Sequence, residues 1–150
     1  FVNMMNRRAQ ELMANGTHFM NPHGLHDDNH YTTAYDLYLI FNECIKHEDF
    51  VNIIQSEAYT AYYTDVDGNS QEALFTPTNL YAQGEVDVPE NVTIVGGKTG
   101  TTDEAGYCLI LMEKDSSDNP YISIVMGASE KPVLYEDMTS LIEAIPSGQQ

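Results

Sequence analysis

The chain has 150 residues, with 23 Asp and Glu against six Lys and Arg, and a formal net charge of −17. Hydrophobic residues make up 42% and charged residues 19%, which is the composition of a globular chain rather than a disordered one, and residues 1–150 are read as part of one domain. Phosphate repulsion over so acidic a surface excludes a general nucleic-acid role and disfavours an anionic membrane, while an anionic small substrate needs a local positive spot.

No run of 18 apolar residues is present to form a membrane-spanning helix. Phe1 has neither an initiator Met nor a charged-then-apolar leader before it, and the helical pattern starts at once, so the chain reads as a fragment whose upstream part has been removed.

In chain order, Val2, Met5, Ala9, Leu12 and Met13 predict an amphipathic helix over residues 1–14, closed at Asn15-Gly16 with Gly16 in the left-handed conformation. Residues 17–31 form a loop with four of the five histidines: His18, His23, His26 and His30. Imidazole and carboxylate ligate zinc, but these spacings match no metal motif, and the competing reading is a tight loop whose side chains bond its own backbone. A second helix is expected over residues 32–46. Thr33 and Asp36 stand at capping-box spacing, and Leu37, Tyr38, Ile40, Phe41, Cys44 and Ile45 give a wide apolar face that predicts deep burial. A short helical turn over residues 49–55 precedes a strand with alternating Tyr59, Ala61 and Tyr63, a turn at Asp67-Gly68, and a returning strand through Ala73, Leu74 and Phe75. Residues 76–90 read as irregular.

The apolar run from Val92 to Val95 leads into Gly96-Gly97-Lys98-Thr99-Gly100-Thr101-Thr102. An ammonium among glycines and hydroxyls is the composition of an anion site where backbone can approach closely; a solvated strand end is the other account of it. Residues 105–112 and 121–128 predict a hairpin buried on both faces, which with residues 92–99 makes a three-stranded meander. Pro132 opens a final helix with Leu134, Met138, Leu141, Ile142 and Ile145 on one stripe, followed by a tail over residues 146–150. Cys44 and Cys108 lie in apolar patterns and are expected to be free, buried thiols.

Three stretches in this order resemble the serine-type D-alanyl-D-alanine carboxypeptidases, the low-molecular-mass penicillin-binding proteins. They are Phe1-Val2 with Met5, Asn6 and Ala9; Thr17-His18-Phe19, Asn21-Pro22-His23-Gly24-Leu25-His26 and His30-Tyr31-Thr32-Thr33-Ala34; and Gly97-Lys98-Thr99-Gly100 with Thr102 and Ala105-Gly106-Tyr107-Cys108. The resemblance implies an α+β fold of the β-lactamase/transpeptidase-like kind, an antiparallel sheet flanked by helices, here without its N-terminal strands and nucleophile helix. It implies hydrolysis of D-Ala-D-Ala stem peptides of peptidoglycan through an acyl-enzyme, with β-lactams acylating the same serine. It assigns the substrate carboxylate to Lys98 and Thr99, backbone pairing to the edge from Gly100 to Thr102, and half of the oxyanion hole to the N–H of Thr101. It makes the histidine loop structural, and calls for no metal or cofactor and an extracytoplasmic location in the cell envelope or periplasm.

No serine in the chain has Lys three residues on, and Ser117-Asp118-Asn119, which fits the family's Ser-x-Asn letters, follows Lys98 instead of preceding it. The fragment alone is therefore expected to be inactive. The alternatives are a metal-binding module on the histidine loop, a binding module without chemistry, and a serine β-lactamase relative, the last disfavoured by the absence of Glu over residues 16–42. Absent strands are expected to leave a bare sheet edge open to self-association.

Overall fold

The three apolar runs of the second half pair as an antiparallel meander in the computed structural model, which describes residues 1–146. The elements in order are α1 (Val2–Glu11), α2 (Ala34–Cys44), α3 (Glu48–Ile54), β1 (Tyr59–Thr64), β2 (Ser70–Phe75), α4 (Leu80–Gln83), β3 (Val92–Thr102), β4 (Gly106–Asp115), β5 (Pro120–Ala128) and α5 (Lys131–Glu143). The main sheet has the order β3-β4-β5, so β3 and β5 each have an outer edge with no strand partner among the described residues. β1 and β2 form a separate two-stranded hairpin. The tail beyond Pro146 lies outside the described residues.

Strand alternation explains where the core sits. Leu109, Leu111 and Glu113 of β4 point to one face, where Leu134, Tyr135, Met138 and Ile142 of α5 cover them together with Tyr81 and Val92. The intervening Cys108, Ile110 and Met112 are only half-buried. The hairpin is thus sealed on one face, not on both as its continuous apolar run suggests, because α5 is a single helix and covers a single side. The same shortfall appears in α2. Phe41 is buried, but Tyr38 is 40% exposed and Leu37, Ile40 and Ile45 are half-buried, so the described residues do not fully cover that wide apolar face. In α5, Leu141 is exposed, and Tyr135 takes the buried place beside Leu134.

The turns correct two further expectations. Helix α1 ends at Glu11, and Met13, with φ 64°, takes the left-handed conformation assigned to Gly16. Gly16 is small for a different reason: a Cβ there would stand 3.0 Å from Thr33 Cγ2 and 3.2 Å from Asp36 Oδ2. The β1–β2 turn is built less by Asp67-Gly68 alone than by Asp65, whose carboxylate accepts the N–H groups of Asp67 and Asn69 at 3.0 and 2.9 Å. Asp115 repeats the device in the β4–β5 turn, accepting from Ser117 and Asn119 at 2.8 and 2.9 Å. The stretch read as irregular contains α4, capped by Asn79 at its start and by Gly84 in the left-handed region at its end. Cys44 and Cys108 are free and half-buried.

Glu113 is a charged side chain pointed into this core. It is fully buried and neither carboxylate oxygen has a hydrogen-bond partner. Burial pushes its pKa up from 4.5 to about 7, against a weaker opposing pull from Ser123 on the neighbouring strand. Between those values the folded protein keeps a proton that the unfolded chain releases, so stability falls as pH rises through this window and levels off above it. The loss amounts to about 3 kcal/mol. Urea unfolding of the full-length protein at pH 5 and pH 8 measures it. Glu113→Gln, which keeps the neutral shape, is expected to gain that much on the parent between the two pH values. Parallel pH curves for parent and variant would refute a buried, titrating Glu113.

Candidate active site

A bulge in β3 decides which way its functional side chains point. Ile94 pairs with Glu113 and so lies on the α5 face, but the register shifts by one residue before Gly96, which pairs with Met112. Without that shift, simple alternation would put Lys98 on the α5 face with Ile94. With it, Lys98 pairs with Ile110 and Gly100 with Cys108, on the face α5 leaves open, while Thr99 and Thr101 pair with Leu109 and Tyr107. Two glycines after the bulge permit the packing. A Cβ on Gly96 would lie 2.2 Å from the carbonyl oxygen of Ile54, at the end of α3, and one on Gly97 would lie 2.1 Å from that of Ile110. At Gly100 an added Cβ meets nothing within 4 Å.

Residues Lys98 to Thr102 line a cavity of about 680 Å³ along the outer edge of β3. The structure therefore gathers all five residues that the sequence singles out: Lys98, Thr99, Gly100, Thr101 and Thr102. They are not equivalent. Lys98 is exposed and donates to the carbonyl oxygen of Thr99. The Thr99 hydroxyl lies 2.5 Å from that of Thr78. The Thr102 hydroxyl accepts the N–H of Ala105 at 3.0 Å, so it also holds the β3–β4 turn.

Electrostatics distinguish this cavity from the rest of the surface. Arg7 and Arg8 pair with Glu11, Arg8 also with Glu43, Lys46 with Glu43, and Lys114 with Asp118. Lys98 and Lys131 make no ion pair among the described residues, and both line this one cavity. In a chain of net charge −17, two cations without an ion pair among the described residues give this groove a local positive balance that the rest of the surface lacks. Lys131 and Thr78 were not legible as partners of Lys98: they lie 33 and 20 residues away in the chain, in segments with no motif of their own. Tyr135 also lines the cavity; its hydroxyl accepts the N–H of Leu80 at 3.0 Å, and burial raises its pKa.

The histidine loop reaches the same cavity through His23, Gly24 and Leu25. Its rings fold the loop itself. His18 Nδ1 contacts the Asn29 carbonyl at 2.6 Å, His30 Nδ1 accepts the Met20 N–H at 3.1 Å, and His23 Nδ1 accepts that of Leu25 at 3.2 Å. His26 lies 3.2 Å from Asp28 and 3.9 Å from Glu104, which ties the loop to the β3–β4 turn. From the other side, Asn6 of α1 exchanges two hydrogen bonds with the backbone of Phe19, at 2.7 and 2.9 Å. Thr33 Oγ1 caps α2 by accepting from Asp36 N–H at 3.1 Å, while the Asp36 carboxylate accepts the Thr17 hydroxyl at 2.7 Å instead of closing a capping box. The loop is thus anchored at both ends and presents its middle to the groove.

The model of one protein family, D-alanyl-D-alanine carboxypeptidase, matches residues 1–130. The chain is 30% identical over 143 residues to D-alanyl-D-alanine carboxypeptidase DacF of Bacillus subtilis, covering 95% of this chain and 34% of that protein. It is 31% identical over 127 residues to DacA of Haemophilus influenzae, covering 85% of this chain and 29% of that protein. The chain therefore spans about a third of the length of the curated relatives it matches. Among solved structures, the Streptomyces K15 DD-transpeptidase superposes with a TM-score of 0.83 at 25% identity, over 95% of this chain and 52% of that one. The architecture described above is accordingly the α+β transpeptidase-like fold. DacD of Francisella tularensis, at 20% identity and a TM-score of 0.77, shares the fold.

Gly96 and Gly100 separate packing from site in one experiment. Gly96→Ala forces the end of α3 away from β3 and is expected to lower stability by about 2 kcal/mol or more. Gly100→Ala is expected to stay within about 1 kcal/mol of the parent. Thermal unfolding of the full-length protein reads both, and an unshifted Gly96→Ala would show that α3 does not rest on the strand.

Proposed function

Because the chain belongs to the D-alanyl-D-alanine carboxypeptidase family, we propose that the protein carrying it removes the terminal D-alanine of peptidoglycan stem peptides in the cell envelope, outside the cytoplasmic membrane. The reading rests most on one observation: Lys98 and Lys131, both without an ion pair among the described residues, line a groove along an open strand edge in a strongly acidic chain. A carboxylate at the end of a peptide is the anion that fits an edge strand, because the strand also offers main-chain hydrogen bonds to what precedes that carboxylate.

In this reading Lys98 draws in the terminal carboxylate and Thr99, held by Thr78, donates a hydrogen bond to it. The peptide lies along the β3 edge from Gly100 to Thr102. A serine Oγ, supplied by the longer protein, attacks the carbonyl carbon of the penultimate residue, and the backbone N–H of Thr101 stabilises the oxyanion as one of two donors. The C–N bond breaks, the amine of D-alanine leaves with a proton, and water then cleaves the ester. β-Lactams acylate the same serine. Residues 1–150 supply the recognition wall of this domain and no Ser-x-x-Lys nucleophile. Among the described residues no helix is long and apolar enough to cross a membrane. The open edge of β5 is a second place where the chain alone can pair, either with the rest of its own protein or with another copy.

Fluorescent penicillin tests the assignment. The full-length protein is expected to take up a label that resists denaturation. Lys98→Ala is expected to slow that acylation about 10- to 100-fold, the range for losing a charged hydrogen-bond partner. An unchanged rate in that variant refutes the carboxylate role of Lys98. Stable labelling of the 150-residue chain by itself would refute the placement of the nucleophile elsewhere.

A further inference from the structure

Lys98, Thr99 and Thr78 line a second cavity as well, of about 570 Å³. The first cavity follows β3 from Lys98 towards Thr102; the second opens in the opposite direction, at Gly97. Its walls come from the end of α3, from the hairpin and from the segment after it: Ile53, Ile54, Ala58, Tyr59, Phe75 and Pro77. Apart from Lys98 at the mouth, no charged side chain lines it. Tyr59 and Phe75 are cross-strand partners, so their rings share one face of the hairpin. Ile53, Tyr59 and Phe75 are 72%, 66% and 59% exposed, an apolar surface that nothing in the described residues covers.

We propose that this cavity takes the side chain of the substrate's C-terminal residue, and that the protein releases bulky apolar D-residues as well as D-alanine. The inference rests on the function proposed above. Once the terminal carboxylate sits at Lys98 and Thr99, the rest of the peptide runs away along Gly100 to Thr102. The terminal side chain leaves from the carbon next to that carboxylate. It is the substrate group nearest to a cavity that opens at Gly97. A methyl group occupies a small part of about 570 Å³, whereas a branched or aromatic side chain finds apolar contacts on three sides. Ser56, Thr76 and Asn79 also line the cavity, but they are neutral and Asn79 is engaged in capping α4, so no charged group beyond Lys98 at the mouth rejects such a side chain; largely apolar pockets discriminate weakly against small groups and gain from large ones.

Three peptides with the same stem, ending in D-Ala-D-Ala, D-Ala-D-Leu and D-Ala-D-Phe, test this on the full-length protein. The expected result is release of D-Leu and D-Phe with kcat/KM at least equal to that for D-Ala. Phe75→Ser, which removes one wall, and Ala58→Trp, which fills the space from the opposite side, are each expected to lower the D-Phe to D-Ala ratio of kcat/KM about tenfold. Release of D-Ala without release of D-Leu or D-Phe overturns the pocket and leaves the carboxypeptidase reading standing. So does a ratio that neither variant moves. If no peptide is cleaved and no penicillin is bound, the carboxypeptidase reading fails and the pocket assignment fails with it.

Discussion

The extra residue in β3 between Ile94 and Gly96 is the constraint on which the groove depends. A strand with strict alternation has one buried and one open face along its whole length. This strand needs its first half to seal the core through Val92 and Ile94, and its second half to present Lys98 away from that core. The bulge allows both in one continuous strand. It also explains the glycines that follow, since the displaced backbone at Gly96 runs directly under the end of α3. Position, orientation and the close approach of α3 are thus consequences of a single register shift.

Charge works on the same geometry. Four of the six basic side chains are neutralised by nearby carboxylates, each pair exposed enough that it adds little to stability. Their effect is on the long-range field: pairing removes them as competitors, so the remaining positive potential lies where Lys98 and Lys131 stand. On so acidic a surface, an anion is favoured most where the described residues leave cations unpaired, which is in that groove. Glu113 shows the opposite arrangement. It is a carboxylate that the core tolerates by keeping its proton, beneath the helix that completes the fold.

Much of this was legible in the sequence, and what was missed has physical causes. The strands, α5 with Pro132 near its start, and the gathering of Lys98 to Thr102 all follow from local pattern and local chemistry. Periodicity reports which residues are apolar, not how many neighbours arrive to cover them. That is why β4 was expected to be buried on both faces and α2 deeply buried. Met13 in the left-handed region was hidden because glycine three residues later offered a cheaper conformation that packing against Thr33 and Asp36 put to another use. The four-residue α4 is too short to show a period, though Asn79 and Gly84 mark its ends. Thr78 and Lys131 join the site only through tertiary contact, for which sequence spacing carries no signal.

Three features leave surface uncovered among the described residues. Cys108, Ile110 and Met112 are left half-buried on the face opposite α5. The apolar side of α2 is uncovered at Tyr38. Gly100, on the open face through its pairing with Cys108, has no neighbour among the described residues that a side chain would strike. A glycine with open space before it is not explained by the packing around it, in contrast to Gly96 and Gly97. In the function proposed above, that space is left for a peptide lying along the strand edge. The meander and α5 thus hold β3 in a fixed register, with Lys98 and Gly100 on the face that α5 leaves open.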